Sequence, residues 1–157
     1  MDATVTFIGP LPQLELSAVS GSGQPVSMDT AESQPRNGPS PRELVLIALA
    51  GCAAMDVAPI LDKKRQAPTS YVVAVHSTEA EEHPQVFTAI TVEHRLTGDV
   101  EPEAIRRAVE LSATRYCPVN RMLSATVPIE HRFRLSRPGE PDLEQLVLVC
   151  RPGDQPD

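Results

Sequence analysis

An α+β domain is the fold class that this sequence predicts, on three observations. Strand-like segments come in runs rather than in strict alternation with helices, in the order β-β-(β)-α-β-β-α-β. One helix-like segment, Leu44 to Met55, is apolar on every side, so it has to be buried all round. The 157 residues fit one domain, and 41% of them are hydrophobic, enough to pack a core. Aromatic residues are scarce and Trp is absent, so that core rests on Val, Leu, Ile and Ala.

The first strand reads from Thr4-Val5-Thr6-Phe7-Ile8, which is β-branched and aromatic and stops at the turn signal Gly9-Pro10. Gln13 to Val19 alternates Leu14, Leu16 and Ala18 with polar residues, and Ser20-Gly21-Ser22-Gly23 turns the chain into a short third strand near Val26 to Asp29. A loop rich in structure breakers follows, from Glu32 to Ser40. Ser40-Pro41-Arg42-Glu43 then opens a helix: Ser40 caps it, Pro41 suits the first position, and Glu43 stands at capping-box spacing. The helix is expected from about Pro41 to Arg65, with a kink near Pro59. Ser70 to Ser77 and Val86 to Leu96 form a strand pair joined by an acidic, exposed link. Glu101-Pro102 starts a half-exposed helix with Ile105, Ala108, Val109 and Ser112 on its apolar face, ended by Tyr116-Cys117-Pro118. Val119 to Leu123 reads as a short extra turn. Val127, Ile129, His131, Phe133 and Leu135 alternate as a last main strand. The organisation expected is a domain over 1–136 and a Pro/Gly-rich extension over 137–157 around the apolar run Leu146 to Cys150.

The formal charge of -7 argues against nucleic acid as a partner, because phosphate binding needs a Lys/Arg surplus. It argues equally against an anionic membrane surface. Met1-Asp2-Ala3-Thr4 lacks the basic start of a secretory signal, and the Leu44 to Met55 run falls short of the roughly 20 residues that span a bilayer. A cytoplasmic location is therefore expected, where a cysteine rests as a thiol. Cys52, Cys117 and Cys150 form no Cys-x-x-Cys, and His76, His83, His94 and His131 show no metal spacing, so neither metal nor cofactor is expected.

Cys52 sits mid-helix and reads either as a small core hydrophobe or as a reactive thiol. Cys117 lies beside Pro118 with Arg115 and Arg121 close in sequence, and a nearby cation favours thiolate; its other reading is a core thiol under the helix end. Asp56, one turn beyond Cys52, shares its face and opposes thiolate formation unless a cation pairs with it. His94 and His131 fall on apolar strand faces as satisfied core histidines, and Cys150 reads as a spectator thiol.

Ser40-Pro41-Arg42-Glu43-Leu44-Val45-Leu46 followed by Ala50-Gly51-Cys52, with Tyr116-Cys117-Pro118-Val119-Asn120-Arg121 further on, resembles the paired cysteine motifs of the OsmC/Ohr family, osmotically inducible and organic hydroperoxide resistance proteins. Ser-Pro-x-Glu-Leu-Val-Leu and Cys-x-x-x-Asp-Val are similar to its YhfA-like branch. The resemblance covers residues 1 to 136. It implies an intertwined homodimer of antiparallel sheets around two central buried helices, with a stress-response role. It also implies a thiol-dependent peroxidase: Cys52 attacks an organic hydroperoxide and becomes a sulfenic acid, Cys117 condenses with it to a disulfide, and a dithiol or thiol reductant restores both. An apolar site with residues such as Leu49, Ala53 and Met55 would suit the alkyl tail. In the family's peroxidases a Glu ten residues before the first Cys holds an activating Arg. Here Arg42 occupies that place, Glu43 is its neighbour, and Arg36 is the candidate activating cation by position. Arg42 at that place also favours the alternative of a dimeric small-molecule-binding protein with little peroxidase activity.

Overall fold

A helix start is only as firm as the partners found for its first N–H groups. In the computed structural model, which describes residues 1–8, 14–30 and 37–154, the capping box predicted at Ser40 is formed. The Ser40 N–H donates to Glu43 Oε2 at 2.7 Å, and the Glu43 N–H donates to Ser40 Oγ at 3.3 Å. Ser40→Ala should lower stability by about 1 kcal/mol, read as a fall in the urea midpoint at constant slope.

The chain divides into two units, Met1–Leu46 and Ile47–Asp157. In the first, β1 (Ala3–Phe7), β2 (Leu16–Ser20) and β3 (Pro25–Met28) make an antiparallel meander, with Ala3 opposite Ser20 and Leu16 opposite Met28. Gly23 supplies the left-handed backbone, at φ 77°, of the β2–β3 turn. Gly38 has no alternative: an added Cβ would stand 2.3 Å from the Ser27 carbonyl oxygen. The buried Asp29 carboxylate accepts from the N–H groups of Thr30 at 2.7 Å and Asn37 at 3.1 Å.

The first helix, α1 (Pro41–Lys63), runs through Pro59 without interruption. It closes at Arg65, whose φ of 58° lets the N–H groups of Arg65 and Gln66 reach the Asp62 and Leu61 carbonyls at 2.8 and 3.0 Å, a Schellman closure. Burial departs from the sequence expectation. Leu49, Ala53, Val57 and Leu61, four residues apart, are all but fully buried, whereas Ile47 is 55% and Met55 78% exposed. The chain alone covers one face of the helix. By length and composition α1 is also apolar enough to cross a membrane, which the shorter Leu44 to Met55 run had not suggested. Its buried face belongs instead to the core, where Val57 and Leu61 pack with Leu96, Ile105 and Phe133.

In the second unit β4 (Ser70–Glu79), β5 (Phe87–Thr97), β6 (Ile129–Ser136) and β7 (Leu143–Cys150) form one sheet in sequence order. The α+β class holds, but the sheets are not antiparallel throughout: β5 and β6 pair in parallel, Ile90 opposite Ile129 and Thr97 opposite Ser136. A parallel pair needs a long crossover. It is supplied by α2 (Pro102–Leu111), a π-helical turn (Ser112–Tyr116) and α3 (Pro118–Ser124). Alternation on β5 and β6 sends Ile90, Val92, His94 and Leu96, with Ile129, His131, Phe133 and Leu135, into the core. The apolar run of the C-terminal tail is strand β7, paired antiparallel to β6.

Candidate functional site

The site begins with helical spacing. Cys52 and Asp56 stand one turn apart on α1, so both project from one face. Cys117 arrives from the crossover by a local irregularity. The Cys117 N–H reaches back five residues to the Ser112 carbonyl at 2.9 Å, closing the π turn, and the chain leaves the helix with Cys117 extended at φ -75°, ψ 103°. Pro118 then starts α3, and the Cys117 Sγ caps it by accepting the Asn120 N–H at 3.3 Å. Ser112, at the other end of the π turn, donates its hydroxyl to Asp56 Oδ2 at 3.0 Å. One irregular turn therefore positions Cys117 and fixes the carboxylate opposite it. The Cys52 Sγ, the Cys117 Sγ and an Asp56 carboxylate oxygen lie within 4.8 Å of one another, and both thiols are free.

The electrostatics correct one reading of the local sequence. Arg115 and Arg121 suggested a thiolate at Cys117, yet its thiol is pushed up to about 12. Burial is the first cause and the neighbouring Cys52 thiol the second; the Asn120 N–H pulls the other way, and Asp56 adds repulsion. Arg115 lies instead over the Tyr116 ring, 5.7 Å from its centroid.

Behind Cys117 stands a residue that sequence reasoning quoted but gave no role. Asn120 is 1% exposed. Its Nδ2 donates to the Ala113 carbonyl at 2.7 Å and approaches Cys150 Sγ at 3.7 Å, and its Oδ1 meets His131 Nε2 at 2.9 Å. Because a carbonyl cannot accept from Oδ1, the amide orientation is fixed, and His131 must carry its proton on Nε2. Cys150, read from the sequence as a spectator thiol, is thus linked to Cys117 through Asn120, and its thiol is pushed up by burial. His94 is held by Tyr71, Nδ1 to hydroxyl at 2.7 Å, and its ring stacks towards His131 with centroids 6.3 Å apart. The two histidines are core residues as expected, but only half satisfied, since among the described residues His94 Nε2 and His131 Nδ1 have no partner. Burial keeps both neutral, with pKa values lowered to about 3 for His94 and about 4 for His131.

A groove of about 480 Å³ opens beside Asp56, lined by Met55, Pro59, Ile60, Leu111, Tyr116 and the stems of Lys63 and Lys64. Leu49 and Ala53, expected with Met55 around an alkyl tail, face the core instead. Arg36 lies outside the described residues. Arg42 is exposed in the first turn of α1, and the Glu43 carboxylate is engaged by the Ser40 N–H.

The family model described as OsmC-like protein matches residues 33–132. The protein YhfA of Escherichia coli strain K12 is 40% identical over 136 residues, covering 86% of this chain and 98% of that relative. Among solved structures, an OsmC-like protein from Mycoplasma pneumoniae superposes with a TM-score of 0.73 at 15% identity, over 85% of this chain and 95% of its own. The organic hydroperoxide resistance protein OhrB of Bacillus subtilis gives 0.58 at 15% identity, over 85% and 98%. At such identities the two structures speak for the fold.

Proposed function

The chain belongs to the OsmC family, and from that premise we propose that it is a thiol-dependent peroxidase reducing organic hydroperoxides through Cys52 and Cys117. The observation that carries this reading is the approach of the two sulfurs to within 4.8 Å, with Cys52 the less buried. The Cys52 thiolate attacks the terminal peroxide oxygen, the O–O bond breaks, and an alcohol leaves with Cys52 as sulfenic acid. Cys117, which keeps its proton, suits the resolving role. Its sulfur displaces the hydroxyl of the sulfenic acid, and the thiol proton leaves with that hydroxyl as water. A dithiol or thiol reductant then restores both cysteines by exchange. The groove with Met55, Ile60 and Leu111 suits the alkyl part of the substrate.

In the same reading Arg36 and Arg42 are the candidates for the activating cation. The apolar face of α1 left exposed at Ile47 and Met55 supports a homodimer around that helix. Residues 1–136 form the family domain, and 137–157 are an addition contributing β7. One observation favours the second reading, a small-molecule-binding protein: Arg42 stands where the family's peroxidases carry the Glu that holds an activating Arg.

The test is a dithiol-coupled assay with an alkyl hydroperoxide and with hydrogen peroxide. Wild type should turn over the alkyl substrate faster, and Cys52→Ser should lose at least about 100-fold, the scale of losing a nucleophile. Equal low rates for wild type and variant would leave the binding reading in place.

A further inference from the structure

The cluster of Cys52, Asp56 and Cys117 is short of positive charge. All three groups are anionic when deprotonated. Asp56 has a neutral partner, the Ser112 hydroxyl at 3.0 Å, and among the described residues no Lys, Arg or His pairs with its carboxylate. Two sulfurs and a carboxylate oxygen that converge within 4.8 Å of one another are the donor set of a single divalent cation.

We propose that the reduced site binds a soft divalent cation of the zinc class, with Cys52 Sγ, Cys117 Sγ and an Asp56 carboxylate oxygen as ligands and the fourth position open to solvent. Two thiolates select such a cation over magnesium or calcium. Tetrahedral zinc holds sulfur ligands at about 2.3 Å and therefore about 3.8 Å apart. The observed 4.8 Å limit calls for closure by at most about 1 Å. Outer partners are in place: the Ser112 hydroxyl orients the carboxylate, and the Asn120 N–H already donates to the Cys117 sulfur. Binding exchanges two thiol protons for one cation, leaving the site at one net negative charge. Formation of the Cys52–Cys117 disulfide removes two of the three ligands. That step needs a two-electron oxidant, a hydroperoxide that leaves as alcohol and water. Cation and disulfide therefore exclude each other, so the cation protects and silences the reduced pair. The cation site rests on the three side chains alone; only its coupling to turnover rests on the peroxidase reading.

The experiment uses the full reduced chain, freed of metal and titrated with Co²⁺ and then Zn²⁺. One Co²⁺ per chain should bind with a thiolate charge-transfer band and tetrahedral visible bands, and Zn²⁺ should displace it with release of about two protons. The bands should vanish in Cys52→Ser, in Cys117→Ser and in wild type oxidised by a hydroperoxide. Affinity should fall by about tenfold or more in Asp56→Asn. X-ray absorption on the wild-type zinc form should count two sulfur ligands, whatever the variants do to folding. No charge-transfer band, a single sulfur, or binding that survives loss of either cysteine overturns the site. Unchanged affinity in folded Asp56→Asn removes the carboxylate from it and overturns the three-ligand proposal. A chain that shows these spectra yet fails the metal-free peroxidase assay loses the peroxidase reading and keeps the cation site.

Discussion

Lowering the pH from 7 to 5 should destabilise the folded chain by about 4 kcal/mol, a large part of the 5–15 kcal/mol of a typical domain. The cause is the buried pair His94 and His131. In the unfolded chain an imidazole titrates near 6.5; in the fold His94 takes its proton only near 3 and His131 only near 4. Both pKa values are lowered, so between those values and 6.5 the unfolded state holds more protons, and stability rises with pH there. The stabilisation is complete above 6.5 and drains away as the pH falls below it. Each histidine contributes about 2 kcal/mol of the loss between pH 7 and 5, at 1.36 kcal/mol per unit. That window lies above the ordinary range of carboxylates, so the histidines dominate it. Urea titrations at half-unit steps should show a constant slope with denaturant and a midpoint falling with pH. A profile flat from 7 to 5 would mean that both imidazoles ionise as readily folded as unfolded.

Asn120→Ala should cost about 3 kcal/mol at pH 7. The substitution removes three side-chain hydrogen bonds, to the Ala113 carbonyl, Cys150 Sγ and His131, in a site that water does not reach, and it strands the His131 Nε2–H and the Ala113 carbonyl. A buried polar group left alone costs about 1–3 kcal/mol, more than the bond it lost was worth. His131 would then have neither ring nitrogen satisfied, since among the described residues Nδ1 already lacks a partner. Adding His131→Phe should cost less than the sum of the two single changes, because the pair leaves no stranded imidazole. Strict additivity in the double-mutant cycle would show that Asn120 and His131 act independently.

The sequence made some elements legible because their causes are local. Ser40, Pro41 and Glu43 announce α1 through groups within one turn, and the alternation from Ile129 to Leu135 follows from the two-residue period of a strand facing a core. The site was legible only in its cysteines. Asp56 could be placed on the face of Cys52, but its anchor is Ser112, fifty-six residues on. Cys52-x-x-x-Asp56 is a ligand pair at helical spacing, a signal that a search among histidines passes over. Asn120 is one of three polar residues in α3, beside Arg121 and Ser124, and nothing local singles it out, because its partners come from the π turn, β6 and β7. The one available clue was His131, which on a buried strand face had to find a partner somewhere. The parallel β5–β6 pair was hidden for a similar reason: strand direction is set by the path of the crossover, not by the strands themselves.

The chain has no Trp and two Tyr, and the fold gives those two residues opposite surroundings. Tyr71 is mostly buried with its hydroxyl on the His94 ring, and burial, reinforced by Asp56, holds its phenol above the usual range. Tyr116 is 49% exposed, lies beneath Arg115 and lines the groove next to Asp56. Intrinsic ultraviolet emission therefore comes from one reporter of the histidine core and one at the rim of the thiol site. Alkaline difference absorbance separates them, because the Tyr71 phenolate should develop only as the core opens. Quenching by a dissolved ion reaches the Tyr116 ring first, so occupancy of the groove and opening of the core can be followed on one unlabelled sample.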